Sequence, residues 1–100
     1  MRRIAVLAGL AWLFAGSAMA DQIERACLKS DRGSGHGALC GCIQDAADLT
    51  LTASDQRLAA RFFTDPDRAQ KMRQSDSHAD ARFWKRYQNF GTTAETFCSR

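Results

Sequence analysis

The residues best suited to chemistry are four cysteines, Cys27, Cys40, Cys42 and Cys98, two of which are separated by a single glycine. A closely spaced pair can form a reactive dithiol or bind a soft metal ion, with His36 as a further ligand. In a short exported chain, an even number of cysteines instead predicts two disulfide bonds. We favour disulfides, because Cys40-Gly41-Cys42 lacks the two intervening residues that are typical of redox motifs.

The pairing of the cysteines depends on the predicted helix that carries Cys40 and Cys42. The helical step of about 100° per residue places these two side chains on opposite flanks of the apolar stripe of that helix. One can then pair with Cys27 and the other with Cys98. The favoured arrangement is Cys27–Cys40 with Cys42–Cys98, and the arrangement Cys27–Cys42 with Cys40–Cys98 stays open.

A basic stripe near the C-terminus is the candidate contact surface for a partner. Arg82, Lys85 and Arg86 fall on one face of a predicted helix and would meet an acidic partner there. Asp45 and Asp48, on an earlier predicted helix, could pair with this stripe instead. The opposite face carries the aromatic residues predicted for the core, which are Phe83, Trp84, Tyr87 and Phe90.

The sequence contains no recognisable Ser/His/Asp triad pattern, and it has no phosphate-loop, zinc-protease or haem attachment motif. We therefore expect no catalytic residue, no metal site and no cofactor, and we expect that the protein is not an enzyme.

Residues 1–20 are typical of a cleavable signal peptide. Arg2 and Arg3 precede an uncharged, mostly apolar stretch that ends at Ala18-Met19-Ala20, and small residues at those positions predict cleavage before Asp21. The expected location is the periplasm, with secretion as the alternative. Both compartments oxidise cysteines.

The charge balance changes when the predicted signal peptide is removed. The whole sequence has 14 basic and 11 acidic residues, two of the basic ones being Arg2 and Arg3. The remaining chain is nearly neutral, which gives little reason to expect nucleic-acid binding. Residues 21–100 are long enough for one small domain, a monomer or weak dimer, and contain no segment that would span a membrane.

The helix signals predict an all-α domain, a compact array of about five or six short helices with two disulfides. A glycine-rich loop at 31–37 follows the first helix, and Gly91 is expected to end the helix before it. The predicted inner face of the second helix contains Leu39, Ile43, Ala46, Ala47 and Thr50. The predicted helices are a short one around Ile23–Cys27, then Ala38–Leu51, Asp55–Thr64, Pro66–Gln74, Ser75–Phe90 and a last one carrying Phe97 and Cys98.

Several short motifs together resemble a family of small exported alphaproteobacterial proteins that are often labelled arginine transporters. The resemblance covers Cys27 to Cys98 and implies no catalytic residues. It implies a link to arginine transport as a solute-binding or accessory protein, because the chain after residue 20 is too polar for a channel. The motifs are Cys40-Gly41-Cys42-Ile43-Gln44, Phe62-Phe63-x-Asp65-Pro66, Arg73-Gln74-Ser75-Asp76, Phe83-Trp84-Lys85-Arg86-Tyr87 and Phe97-Cys98.

These observations favour a non-catalytic periplasmic binding or accessory module whose partner is a protein or a small solute. An inhibitor of a secreted enzyme would share the same features. The third hypothesis is thiol–disulfide or soft-metal handling through Cys40 and Cys42.

Overall fold

The computed structural model describes residues 21–99, which form five α-helices and no strand. The predicted all-α class is therefore confirmed, whereas the predicted signal peptide lies outside the described residues. The helices are α1 (Gln22–Lys29), α2 (Gly37–Thr50), α3 (Ala53–Thr64), α4 (Pro66–Arg73) and α5 (His78–Cys98). Helix α1 contacts α2 and α3, α2 also packs along α5, and α4 bridges α3 and α5.

Local capping signals set the starts of α3, α4 and α5. The Thr52 hydroxyl accepts a hydrogen bond from the Asp55 N–H at 3.1 Å, so α3 begins at Ala53, two residues earlier than predicted. The Ser77 hydroxyl caps α5 in the same way. Pro66 occupies the first position of α4, where its missing N–H has no consequence.

The N-terminus of α1 is capped by a side chain from another helix. The side chain of Asp21, which precedes α1, makes no capping hydrogen bond. Instead the Glu24 N–H, which has no partner within its own helix, donates to Gln44 Oε1 of α2 at 2.9 Å. The Gln44 side chain of α2 thus supplies the N-terminal cap that the local sequence of α1 lacks.

Gln44, which is only 4% exposed, is the centre of a buried polar network. Its Nε2 donates to Asp48 Oδ1 at 2.8 Å and to Gln56 Oε1 of α3 at 2.9 Å. Gln56 Nε2 in turn donates to the Leu51 carbonyl at 3.3 Å. Because these amide groups are paired, their burial carries no penalty for unmade hydrogen bonds.

The apolar core is small and contains three alanines. Around Tyr87, ring centroids lie 5.1 Å away for Phe62, 5.2 Å for Trp84 and 5.7 Å for Phe90, so the aromatic face of α5 is part of the core. The fully buried members of the core are Ile23, Ala46, Ala47, Leu51, Ala59, Phe62, Phe83 and Phe90.

The inner face of α2 differs from the predicted one. Leu39 is 39% exposed, whereas its neighbour Cys40 and the polar Gln44 are buried. Cys40 is drawn inward by its bond to Cys27, and Gln44 by its three polar partners. The first turn of the inner face therefore differs from the prediction, whereas Ala46 and Ala47 are buried as predicted.

The predicted helix end at Gly91 is wrong. Helix α5 runs for 21 residues through Gly91 to Cys98, and no separate last helix forms. Phe90 is buried in the core, Ala94 packs against it one turn later, and Cys98 is bonded to Cys42 of α2. A break at Gly91 would move Ala94 and Cys98 out of these positions, so tertiary contacts override the local stop signal.

We expect Gln44→Leu to lower the free energy of unfolding by about 1–3 kcal/mol, because it leaves the Glu24 N–H and Gln56 Oε1 without partners. Urea denaturation would measure the loss. Gln88→Leu, on the exposed surface of α5, should change stability by less than about 0.5 kcal/mol. Equal stability of the two variants would show that the network contributes nothing.

We expect Gly91→Ala to raise the free energy of unfolding by about 0.5–1 kcal/mol, because glycine destabilises a helix interior. A Cβ at Gly91 would meet no atom within 4 Å. Gly35→Ala should lower the free energy of unfolding, since Gly35 has a φ of +81°, which alanine adopts with strain. A destabilised Gly91→Ala variant would contradict the continuity of α5.

Candidate functional site

Both disulfides attach a helix to α2. Cys27–Cys40 joins α1 to α2, and Cys42–Cys98 joins the end of α5 to α2. This is the first of the two arrangements that the sequence left open. Cys40 and Cys42 thus belong to different bridges, so in this structure they form neither a dithiol nor a thiolate pair for a metal ion.

The Cys27–Cys40 bridge is enclosed. Its cysteines are 3% and 0% exposed, and the glycine-rich loop folds over them. The Ser30 hydroxyl donates to the Cys27 carbonyl at 2.6 Å and accepts from the Gly33 N–H at 3.2 Å. A Cβ at Gly33 would collide with the Cys27 carbonyl, so the loop is closely packed here.

The Cys42–Cys98 bridge lies in an open cleft of about 800 Å³, between the glycine-rich loop, the first turns of α2 and the end of α5. Leu39 and Phe97, which are 39% and 67% exposed, line the same cleft. His36 also lines the cleft, but residues 21–99 contain no group of three or more His, Cys, Asp or Glu that could hold a metal ion. Cys42 and Cys98 are both partly exposed, so the bridge is accessible from the cleft.

The basic stripe of α5 divides into two parts. Arg82 and Lys85 are exposed, and neither makes an ion pair within residues 21–99. Arg86 instead binds Asp55 of α3 through two hydrogen bonds, with Nε to Oδ2 at 2.7 Å and Nη2 to Oδ1 at 3.0 Å. Its guanidinium therefore holds α5 to the start of α3.

Asp55 is the acidic partner that sequence reasoning missed. Asp45 and Asp48 were the candidates, but Asp48 accepts hydrogen bonds from the two buried glutamines and Asp45 is exposed. The Thr52-x-x-Asp55 spacing, with an acid at the third helical position, is the signal that could have drawn attention to it. No local sequence pattern identifies Arg86 of α5 as the partner of Asp55.

The electrostatics at Asp55 favour its charged form. The hydrogen bonds from Arg86 lower the pKa of the Asp55 carboxyl, partial burial opposes this, and the charge of Arg86 and the N–H and hydroxyl groups at Thr52 add to the lowering. The position near the N-terminus of α3 acts in the same direction, since the helix dipole attracts an anion there. The result is a fixed ion pair at the α3–α5 contact.

Charge is unevenly distributed along the folded chain. Residues 57–86, from α3 to the first half of α5, contain eight Arg and Lys but four Asp. Two of these acids are engaged locally, because Asp65 pairs with Arg68 and Asp80 accepts from the Ser75 hydroxyl. The rest of residues 21–99 contains three Arg and Lys and seven Asp and Glu. The stretch of chain that carries Arg82 and Lys85 therefore has an excess of positive charge.

No protein-family model, curated protein or solved structure matches this chain. Membership of the family labelled arginine transporters stays a prediction. Within residues 21–99, none of the helices has the length and apolar character needed to cross a bilayer.

We expect Asp55→Asn to destabilise the protein at neutral pH and to have little effect in acid. Since the folded pKa of Asp55 is lowered, its stabilising effect is present above the unfolded pKa of about 3.9 and is lost as the pH falls through the folded value. Urea denaturation of both proteins between about pH 7 and pH 2 would show the difference shrinking below about pH 4.

Asp45→Asn is the matched control, because Asp45 is an exposed aspartate on α2. It should change stability by less than about 0.5 kcal/mol. A stability difference for Asp55→Asn that persists unchanged in acid would contradict the ionic contribution of the pair.

Proposed function

We propose that the protein is a non-catalytic, exported binding or accessory module that docks an acidic surface of a partner protein through Arg82 and Lys85. The observation that carries the proposal is the division of the basic stripe. Arg86 is held by Asp55, whereas Arg82 and Lys85 make no ion pair in the described chain and point their charge at solvent.

The support for this contact surface is its rigidity. Arg82 and Lys85 lie three residues apart, so they are neighbours on one face of α5. The same helix is anchored by the buried Phe83 and Phe90, and Arg86 fixes it to α3. Because the backbone under the two charges is already held, binding need not order it.

The support for an acidic partner is charge complementarity. The positive bias of residues 57–86 would attract an anionic surface over a distance of about one Debye length, which is about 8 Å at physiological salt. Like charges on a competing surface would be repelled, which gives specificity as well as a faster encounter.

The support for an exported location is the pair of disulfides together with the predicted signal peptide. Disulfides persist in the periplasm and outside the cell but are rare in the cytosol. An accessory role beside a transport system in the envelope also agrees with the family resemblance. An acidic domain of such a system is the partner that we propose.

The proposal is tested by binding measurements on oxidised protein purified from the periplasm. Immobilised protein would be used to isolate exported or envelope proteins, and the affinity for each isolated protein would then be measured at several salt concentrations. We expect a partner whose affinity falls with salt and falls at least about tenfold in the Arg82→Glu/Lys85→Glu variant. The melting temperature of that variant should be nearly unchanged.

Lys29→Glu/Arg32→Glu is the matched control, since both side chains are exposed and lie outside the positive region. It should bind the partner within about threefold of the unchanged protein. An equal loss in both double variants, or no loss in either, would rule out the proposed surface. A captured enzyme whose activity falls on binding would identify the module as an inhibitor.

A further inference from the structure

The two disulfides differ in their access to solvent. Cys27 and Cys40 are buried beneath the glycine-rich loop, whereas Cys42 and Cys98 are both partly exposed and line the open cleft. Thiol–disulfide exchange requires a thiolate to reach one sulfur of the bridge. Only the Cys42–Cys98 bridge offers that access in the folded protein.

The segment that this bridge holds contributes little buried apolar surface. Between Gly91 and Cys98, no residue is fully buried, and Ala94 is the residue that packs against the core. Phe97 projects into the cleft and is 67% exposed. The last two turns of α5 are therefore held to α2 by the covalent link and by half-buried residues, with no buried side chain among them.

The local sequence of the same segment opposes a continuous helix. Gly91 disfavours a helix interior, and the Thr92-x-x-Glu95 spacing is a signal for a new helix start. Beyond Gly91 the helix thus continues against its own signals, with its far end fixed at Cys98.

We propose that the Cys42–Cys98 disulfide is a thiol-exchange site for a dithiol reductant, and that its reduction ends α5 near Phe90 and releases residues 91–98 from α2. The Cys27–Cys40 bridge stays intact in this reaction, because its sulfurs are enclosed. The released segment uncovers the part of α2 around Cys42, which changes the cleft.

The exchange proceeds in two steps. A thiolate of the reductant attacks Cys98 Sγ, the Sγ–Sγ bond breaks, and Cys42 leaves as a thiolate that takes up a proton. Cys98 is the attacked sulfur because a thiolate leaving there would face the negative C-terminal end of α5. The second thiol of the reductant then attacks the mixed disulfide, which releases Cys98 as a thiol and the reductant as a disulfide. Two electrons and two protons pass to the protein.

This site is separate from the proposed docking surface. Lys85 and Cys98 are 13 residues apart on α5, which is about 20 Å along the helix axis. Phe90 is buried between them, so the first half of α5 keeps its anchor when the last turns are released. Failure of one proposal would leave the other standing.

Partial reduction of the native, oxidised protein tests the exchange. Limiting dithiothreitol, followed by N-ethylmaleimide and peptide mass mapping, should label Cys42 and Cys98 at least about tenfold faster than Cys27 and Cys40. Equal labelling of the two pairs, or earlier labelling of Cys27 and Cys40, would overturn the assignment of the site.

Hydrogen exchange tests the release. In the protein that has been partly reduced and capped, and in the Cys42→Ala/Cys98→Ala variant, amides of residues 92–98 should lose protection while those of 82–90 keep it. Adding Gly91→Ala should restore part of the lost protection, because alanine favours the continuous helix. Unchanged protection of 92–98, or a loss that extends over all helices, would overturn the proposed release.

Discussion

The attachment of three helices to α2 is the constraint on which the rest of the structure depends. Cys40 bonds α1, Cys42 bonds α5, and the Gln44 side chain joins α1 and α3 through hydrogen bonds. The apolar core alone is small and three of its members are alanines, so burial stabilises the fold less than in a larger domain. The disulfides and hydrogen bonds of α2 therefore fix the positions of the helices around it.

The electrostatics show how one stripe of charges can serve two purposes. Arg86 meets a carboxylate at the positive end of α3 and contributes to packing, whereas Arg82 and Lys85 are exposed and make no ion pair within residues 21–99. Helical spacing alone puts all three on similar faces. Only the position of Asp55, which the α3–α5 contact sets, separates the structural arginine from the available ones.

The sequence predicts those features that are local. The start of α4 at Pro66 was predicted correctly, and the start of α3 differs from the prediction by only two residues. The predicted start of α5 at Ser75 is too early, because Ser77 caps the helix. On the inner face of α2, Ala46 and Ala47 are buried as predicted, but Leu39 is exposed. The burial of Gln44 was not predicted, because that position is favourable only when α1 and α3 supply its partners. The Asp55–Arg86 pair joins residues that are far apart in sequence, so no local pattern could predict it.

The wrongly predicted helix end at Gly91 has a different physical cause from the wrongly predicted burial on α2. From Phe83 to Phe90, helical preference and core packing agree, and that half of α5 would be helical under either influence. From Gly91 to Cys98, the local signals favour a break, no residue is buried, and the end is bonded to Cys42. Native sequences mostly avoid such conflicts between local and tertiary preference, and those that persist occur preferentially at strained or functional sites. One helix thus contains a first half in which local preference and packing agree, and a second half in which the local signals oppose the helix that the structure shows.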